Sequence, residues 1–147
     1  MVGARTIVPK CGAPAPPYRN GQEMDDSDDL SVLMHSNLIE IFGQRDAARR
    51  QEAMQRTYAE DIAFTDPEGT VHGYGAVDMQ VKKVLDNAPE TFVFTPDGPL
   101  YVLADARAAL PWAFGPVNGP AAARGIDIAT IANGRITSLL TLLALNA

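Results

Sequence analysis

The sequence predicts an α+β domain in which helices come first and a curved antiparallel sheet packs against them. Three observations carry that expectation. Apolar residues recur at helical spacing over much of residues 30–87. Beyond them the period shortens to two, and β-branched and aromatic residues take over. Asn133-Gly134, between the last two strand-like runs, is a two-residue hairpin turn.

In chain order, residues 1 to about 26 form a proline- and glycine-rich arm, broken by Pro9, Pro14, Pro16 and Pro17. The arm is either a loose leader or a strap over the domain or over a neighbouring subunit. Residues 27–147 are expected to be one domain. Ser27, Asp28 and Asp29 suit a helix N-terminus. Leu30, Leu33, Met34, Leu38 and Ile41 then mark an inner stripe that also carries Asn37, and Gly43 ends the helix. Asp46 caps a second helix running to about Tyr58. Strands follow at 61–65 and 70–73 around the Pro67–Gly69 turn. A third helix over 75–87 turns Val77, Val81, Val84 and Leu85 inward and stops before Pro89. The strand-like runs are then ETFVFT, LYVLADA, AALPWAF, ARGIDIATIA and RITSLLTLLAL, with Pro111 expected at an edge or a bulge.

Composition narrows the function. A chain of 147 residues has enough length to bury a core without metal or disulfide. Its 18 acidic against 12 basic residues give a net charge of −6, which disfavours nucleic acid and anionic membrane as partners. The nearest basic cluster, Arg45, Arg49, Arg50 and Arg56, is interleaved with acids and reads as a solvated helix face. The single cysteine, Cys11, and the two histidines, His35 and His72, leave no metal motif. Gly-x-Gly-x-x-Gly, the P-loop and Gly-x-Ser-x-Gly do not occur, so no cofactor is expected. Without a membrane-length apolar run or a signal region, the expected location is the cytoplasm.

Two carboxylates carry the candidate chemistry. Asp66 ends the apolar run Ile62-Ala63-Phe64 and opens an Asp-Pro turn. It is either turn punctuation or a carboxylate at the rim of a pocket. Asp127 lies between Ile126 and Ile128, with Ala129 and Ile131 on its own face. Buried there, it would be costly as an anion and its pKa would rise. An outward or edge position in contact with water is the alternative. A neutral acid that donates a hydrogen bond, paired with an exposed carboxylate that takes a proton, is an acid/base arrangement. Met34, Phe64, His72, Trp112 and Phe114 are candidate pocket residues, and Asp105 with Arg107 reads as a surface pair at a turn.

Tyr58-Ala-Glu-Asp61, Asp66-Pro67-x-Gly69, Gly73 and Gly134-Arg135-Ile136 together resemble the nuclear transport factor two-like superfamily. Within it, the resemblance is to SnoaL-like proteins and ketosteroid isomerases, over roughly residues 30–143. It implies a cone-shaped, cystatin-like α+β roll with a deep apolar pocket. It also implies Asp66 as general base and Asp127 as the acid of the oxyanion hole. The isomerases place a tyrosine on the inner face of the first helix, where this chain has Asn37-Leu38, so Asn37 is the candidate second donor.

The expectation is therefore an enzyme without cofactor that moves a proton next to a carbonyl. It would be isomerase-like, or related to the cyclases and dehydratases of that group. Its partner would be a small hydrophobic molecule of steroid, polyketide or terpenoid type, and a homodimer is expected. A non-catalytic ligand-binding or assembly domain of the same fold is the alternative.

Overall fold

In the computed structural model residues 29–145 are described. The N-terminal arm, Cys11, and the capping residues Ser27 and Asp28 lie outside them. Among the described residues, three helices precede or interrupt seven strands. Helix α1 covers 29–42, helical to residue 35 and π-helical over Ser36–Phe42. Helix α2 is Ala47–Thr57, β1 Tyr58–Asp66, β2 Gly69–His72 and α3 Tyr74–Asp86. Strands β3 Phe92–Pro96, β4 Tyr101–Leu103, β5 Arg107–Pro116, β6 Ala123–Ala132 and β7 Arg135–Leu143 complete the chain.

The strands form one open, curved sheet in the order β2-β1-β7-β6-β5-β3, with β4 also on β5. The α+β class holds, with one correction: the sheet is mixed, because β1 runs parallel to β7. A two-residue turn forces antiparallel pairing, but β1 reaches β7 only through α3 and five other strands, and so long a connection permits either sense. The β6–β7 hairpin turns at Asn133 (φ 54°) and Gly134 (φ 74°), the left-handed pair that such a turn requires. A bulge between Thr130 and Ile131 then shifts the β6–β7 register. This keeps both Ile136 and Leu139 on the buried face and adds to the bend of the sheet.

The core lies between the concave face and the helices. Met34, Leu38, Ile41, Met54, Val77 and Val81 from the helices meet Tyr58, Ile62, Phe64, Leu110, Ile136 and Leu139 from the strands. Helix α2 is capped as expected, the Asp46 side chain accepting from Arg49 N at 3.0 Å. In α1 the π segment widens the turn. Residues five apart then share a face, which brings Asn37 and Phe42 inward together.

Three side chains depart from the expected pattern. Val84 is exposed, because α3 packs through Val77, Val81 and Leu85. Arg50 is 3% exposed and no part of a solvated face. Its guanidinium donates to Asp78 Oδ1 at 2.6 Å and to Gln44 O at 2.7 Å, joining α2 to α3 and to the α1–α2 loop. Pro111 sits in an interior strand, between the stretch of β5 paired with β4 and the stretch paired with β3. Its carbonyl accepts from Asp97 N at 2.9 Å on that side, so its missing N–H faces the gap and costs β6 nothing.

Asp78→Ala leaves a buried guanidinium without its counter-ion. We expect a loss of roughly 3 kcal/mol and a fall in Tm on the order of 10 °C, followed by thermal circular dichroism. A change of under 2 °C would remove the ion pair from the account of how α2 and α3 hold together.

Candidate functional site

The site grows from the inward alternation of three neighbouring strands. On β6 the buried residues are Gly125, Asp127, Ala129 and Ile131. Asp127 is 4% exposed, which places it on the inner face. Thr141 of β7 lies directly opposite, and Trp112 of β5 lies opposite Gly125, one diagonal step away. A side chain at Gly125 would collide with the Trp112 ring and with Leu142 O, so glycine there makes room for the indole.

Three donors from three elements converge on this carboxylate. The Trp112 indole N–H donates to Oδ1 at 2.9 Å, and the Thr141 hydroxyl donates to the same oxygen at 2.8 Å. Asn37 Nδ2 donates to Oδ2 at 3.0 Å. Behind Asn37, the Tyr58 hydroxyl donates to Oδ1 of the amide at 2.5 Å, and the Tyr74 hydroxyl donates to the Tyr58 carbonyl at 3.1 Å. Burial pushes the Asp127 carboxyl up from 3.8 to about 6, against the opposing pull of the bonds from Thr141, Trp112 and Asn37. Burial first, and then the nearby Asp127 charge, push the Tyr58 phenol well above its ordinary value, so it is a neutral donor at any physiological pH.

A cavity of about 230 Å³ opens over this carboxylate. Its walls are Leu38, Phe42, Phe64, Val84, Phe94, Trp112, Phe114, Ala123 and Leu143, and its polar groups are Asp127, Thr141, Asp66 and Gln80, with Pro67 at the rim. The rings form a continuous ribbon. Phe94 stacks on Phe114 at 4.1 Å and meets Trp112 at 5.5 Å, while Phe42 bridges Phe64 and Phe94.

Asp66 closes a turn and also borders the cavity. Its Oδ1 accepts from Glu68 N at 2.9 Å, closing the turn, and its side chain lines the cavity. Among the described residues Oδ2 has no hydrogen-bond partner. On the β1–β7 ladder Thr65 pairs with Leu140; one residue further sets Asp66 beside Thr141, which faces Asp127. The two aspartates thus share one row across the sheet, two strands apart, or about 10 Å between Cα atoms.

Of the residues singled out from sequence, Asp66, Asp127, Phe64, Trp112 and Phe114 line the cavity, and Asn37 stands behind Asp127. Met34 and His72 do not line it. Met34 is fully buried in the core, and His72 is exposed on β2, opposite Ala63. Tyr58, Thr141 and Gln80 were missed. Tyr58 was legible as an inner position, an even number of residues before Ile62, Phe64 and Asp66. Among the described residues no group of three or more His, Cys, Asp or Glu could hold a metal ion, and no helix is long and apolar enough to cross a membrane.

A family model described as a SnoaL-like domain matches residues 37–139. No curated protein matches the chain. Among solved structures, a candidate isomerase of the SnoaL-like family from Agrobacterium tumefaciens is similar at TM-score 0.71 and 18% identity, covering 80% of this chain and 99% of that one. A candidate SnoaL-like polyketide cyclase from Jannaschia is similar at TM-score 0.66 and 9% identity, covering 90% and 91%. A candidate ketosteroid isomerase from Kribbella flavida is similar at TM-score 0.55 and 14% identity, covering 82% and 81%. At these identities the likeness to solved structures is one of fold.

Two outcomes follow from the geometry. A carboxyl whose pKa is raised on folding favours the native state below its unfolded value and loses that contribution as pH rises through its folded value. The stability of wild type relative to Asp127→Asn should therefore fall by about 2 kcal/mol between pH 4 and 6.5, read by urea unfolding. A flat difference would mean that Asp127 is not desolvated. Gly125→Ala should displace the indole, shifting the emission of Trp112, the only tryptophan, and abolishing the change in that emission as Asp127 titrates. An unchanged spectrum and titration would show that the indole does not depend on the space over Gly125.

Proposed function

The chain belongs to the SnoaL-like domain family, and on that premise we propose that it is an acid/base enzyme acting next to the carbonyl of a small apolar molecule. The observation that carries this reading is that Asp66 and Asp127 line one aromatic cavity instead of opposite faces of the sheet. Asp66, whose Oδ2 has no hydrogen-bond partner among the described residues, removes a proton from the carbon beside the carbonyl. The electron pair left behind delocalises onto the carbonyl oxygen. Asp127, protonated, donates a hydrogen bond from Oδ2 to that oxygen, while Oδ1 stays occupied by Trp112 and Thr141. Asp66 then returns the proton to a carbon further along the conjugated system, so the net change is a shifted double bond.

An apolar occupant itself prepares the acid. It displaces water from the cavity, which desolvates Asp127 further and favours its neutral form. At about 230 Å³ the cavity is smaller than the roughly 300 Å³ at which pockets begin to enclose drug-sized ligands. A one- or two-ring compound fits better than a four-ring skeleton. The spacing agrees with the chemistry, since a carbonyl and its neighbouring carbon, with a hydrogen-bond length at each end, bridge side chains rooted about 10 Å apart.

The test is conversion of a one-ring β,γ-unsaturated ketone to its conjugated isomer, followed by ultraviolet absorbance. Wild type should turn it over, and Asp66→Asn should reduce kcat by at least three orders of magnitude. Asp127→Ala should cost on the order of 10²–10³, the usual effect of losing one oxyanion donor. A folded wild type that binds the ketone but leaves it unchanged would sink the catalytic reading and leave a ligand-binding pocket.

A further inference from the structure

Tyr58 is not among the cavity walls and makes no hydrogen bond to Asp127, yet its hydroxyl sits where it decides how Asn37 is turned. An asparagine amide has one end that only accepts and one that only donates, and the two are nearly identical in shape. Asn37 is wholly buried, between a hydroxyl on one side and a carboxyl on the other. Either orientation fits sterically, so hydrogen bonding alone selects one.

We propose that Tyr58 is a positioning residue of the site: by donating to Asn37 Oδ1 it holds the amide with its NH₂ toward Asp127, so that a proton on Asp127 Oδ2 has no acceptor among the described residues and is offered to the occupant of the cavity. This rests on the reading of Asp127 as the hydrogen-bond donor of the site.

The argument is one of direction. Reversing the amide would let Asn37 Oδ1 accept a hydrogen bond from protonated Asp127, engaging the acid's O–H internally and aiming it away from the cavity. The reversed NH₂ would then point at the Tyr58 oxygen. The Tyr58 hydroxyl proton would lose its acceptor, because Asn37 is its only hydrogen-bond partner among the described residues. A buried O–H without a partner is disfavoured, so the chain runs one way, from phenol to amide to carboxyl. The Tyr58 backbone is tied in turn by the Tyr74 hydroxyl.

The other groups facing Asp127 leave the direction to Asn37. Trp112 has only a donor to give, and Thr141 meets the opposite oxygen, Oδ1. The ionisable neighbours are Tyr58 and, across the cavity, Asp66. The family resemblance leads to a tyrosine on the first helix; here the phenol stands on β1 and acts through an amide.

Carbon-13 NMR of aspartate carboxyls, assigned with Asp127→Asn, reads the titration of Asp127 without any substrate. Its result is therefore independent of whether the ketone reaction occurs. In wild type the midpoint should lie near 6. Tyr58→Phe frees the amide to turn and accept from the neutral acid, so the midpoint should rise by about one pH unit. In an Asn37→Leu background the same Tyr58→Phe change should move it by less than about 0.2 units. An unchanged midpoint in Tyr58→Phe, or an equal rise in both backgrounds, would overturn the proposal, the second because Tyr58 would then act on Asp127 directly. Wild type provides a check that needs no variant. The Asn37 side-chain amide should keep one set of proton and nitrogen resonances across the titration, and a second set appearing as Asp127 takes its proton would show the amide turning and defeat the assignment.

Discussion

The structure depends on one costly act, the burial of the Asp127 carboxyl on the concave face of the sheet. An ionised group there loses most of its hydration, and what replaces the water is a set of three fixed donors. Each comes from a different element: the first helix, the fifth strand and the seventh strand. Moving any of them by an ångström would leave the charge under-compensated. The carboxyl therefore constrains the distance of helix from sheet, the register of β6 on β7 and the rotamer of the only tryptophan. The balance between desolvation and hydrogen bonding stays close, and that closeness leaves the group able to change protonation state near neutral pH.

Small backbone features serve that balance. Gly125 provides the space in which the indole lies flat enough to reach one diagonal step along β6. The π turns of α1 point Asn37 at the carboxyl while Phe42 of the same face bridges the aromatic ribbon. The Asp-Pro turn fixes Asp66 through one oxygen while the side chain lines the cavity. Packing and chemistry are not separate layers here, since the residues that seal the apolar wall also hold the polar groups in place.

How much of this was legible depended on whether local spacing or a single irregularity decided the outcome. The helices and most strands were readable because their apolar residues keep period. The inward turn of Asp127 was readable as one of two alternatives, from Ala129 and Ile131 on the same face. Thr141 was not. Counting back from the two-residue Asn133-Gly134 turn sets Asp127 opposite Leu140, an apolar residue. Only the bulge slips the strand by one and delivers a hydroxyl. The same limit applies to Arg50, which alternates with acids in sequence like any surface arginine but meets Asp78 across two helices. Val84 keeps the helical spacing of Val77, Val81 and Leu85, but the packed stripe of α3 stops short of it and leaves it partly exposed at the cavity wall. The parallel sense of β1 against β7 is a long-range choice that no local pattern encodes.

That parallel pairing sets an order of assembly. β5, β6 and β7 are neighbours in sequence joined by short turns, so their pairings close small loops and can form early. β1 has no partner on that side until β7 exists, and the two are separated by more than half of the described chain. During synthesis, then, the segment carrying Asn37, Tyr58 and Asp66 emerges first and waits, its strand edge unsatisfied, while the segment carrying Trp112, Asp127 and Thr141 is still being made. The buried carboxyl meets its last donor only when the two halves dock. The closing step of folding and the completion of the site are one event, so a chain cut short anywhere before β7 would expose an apolar strand edge and have no pocket.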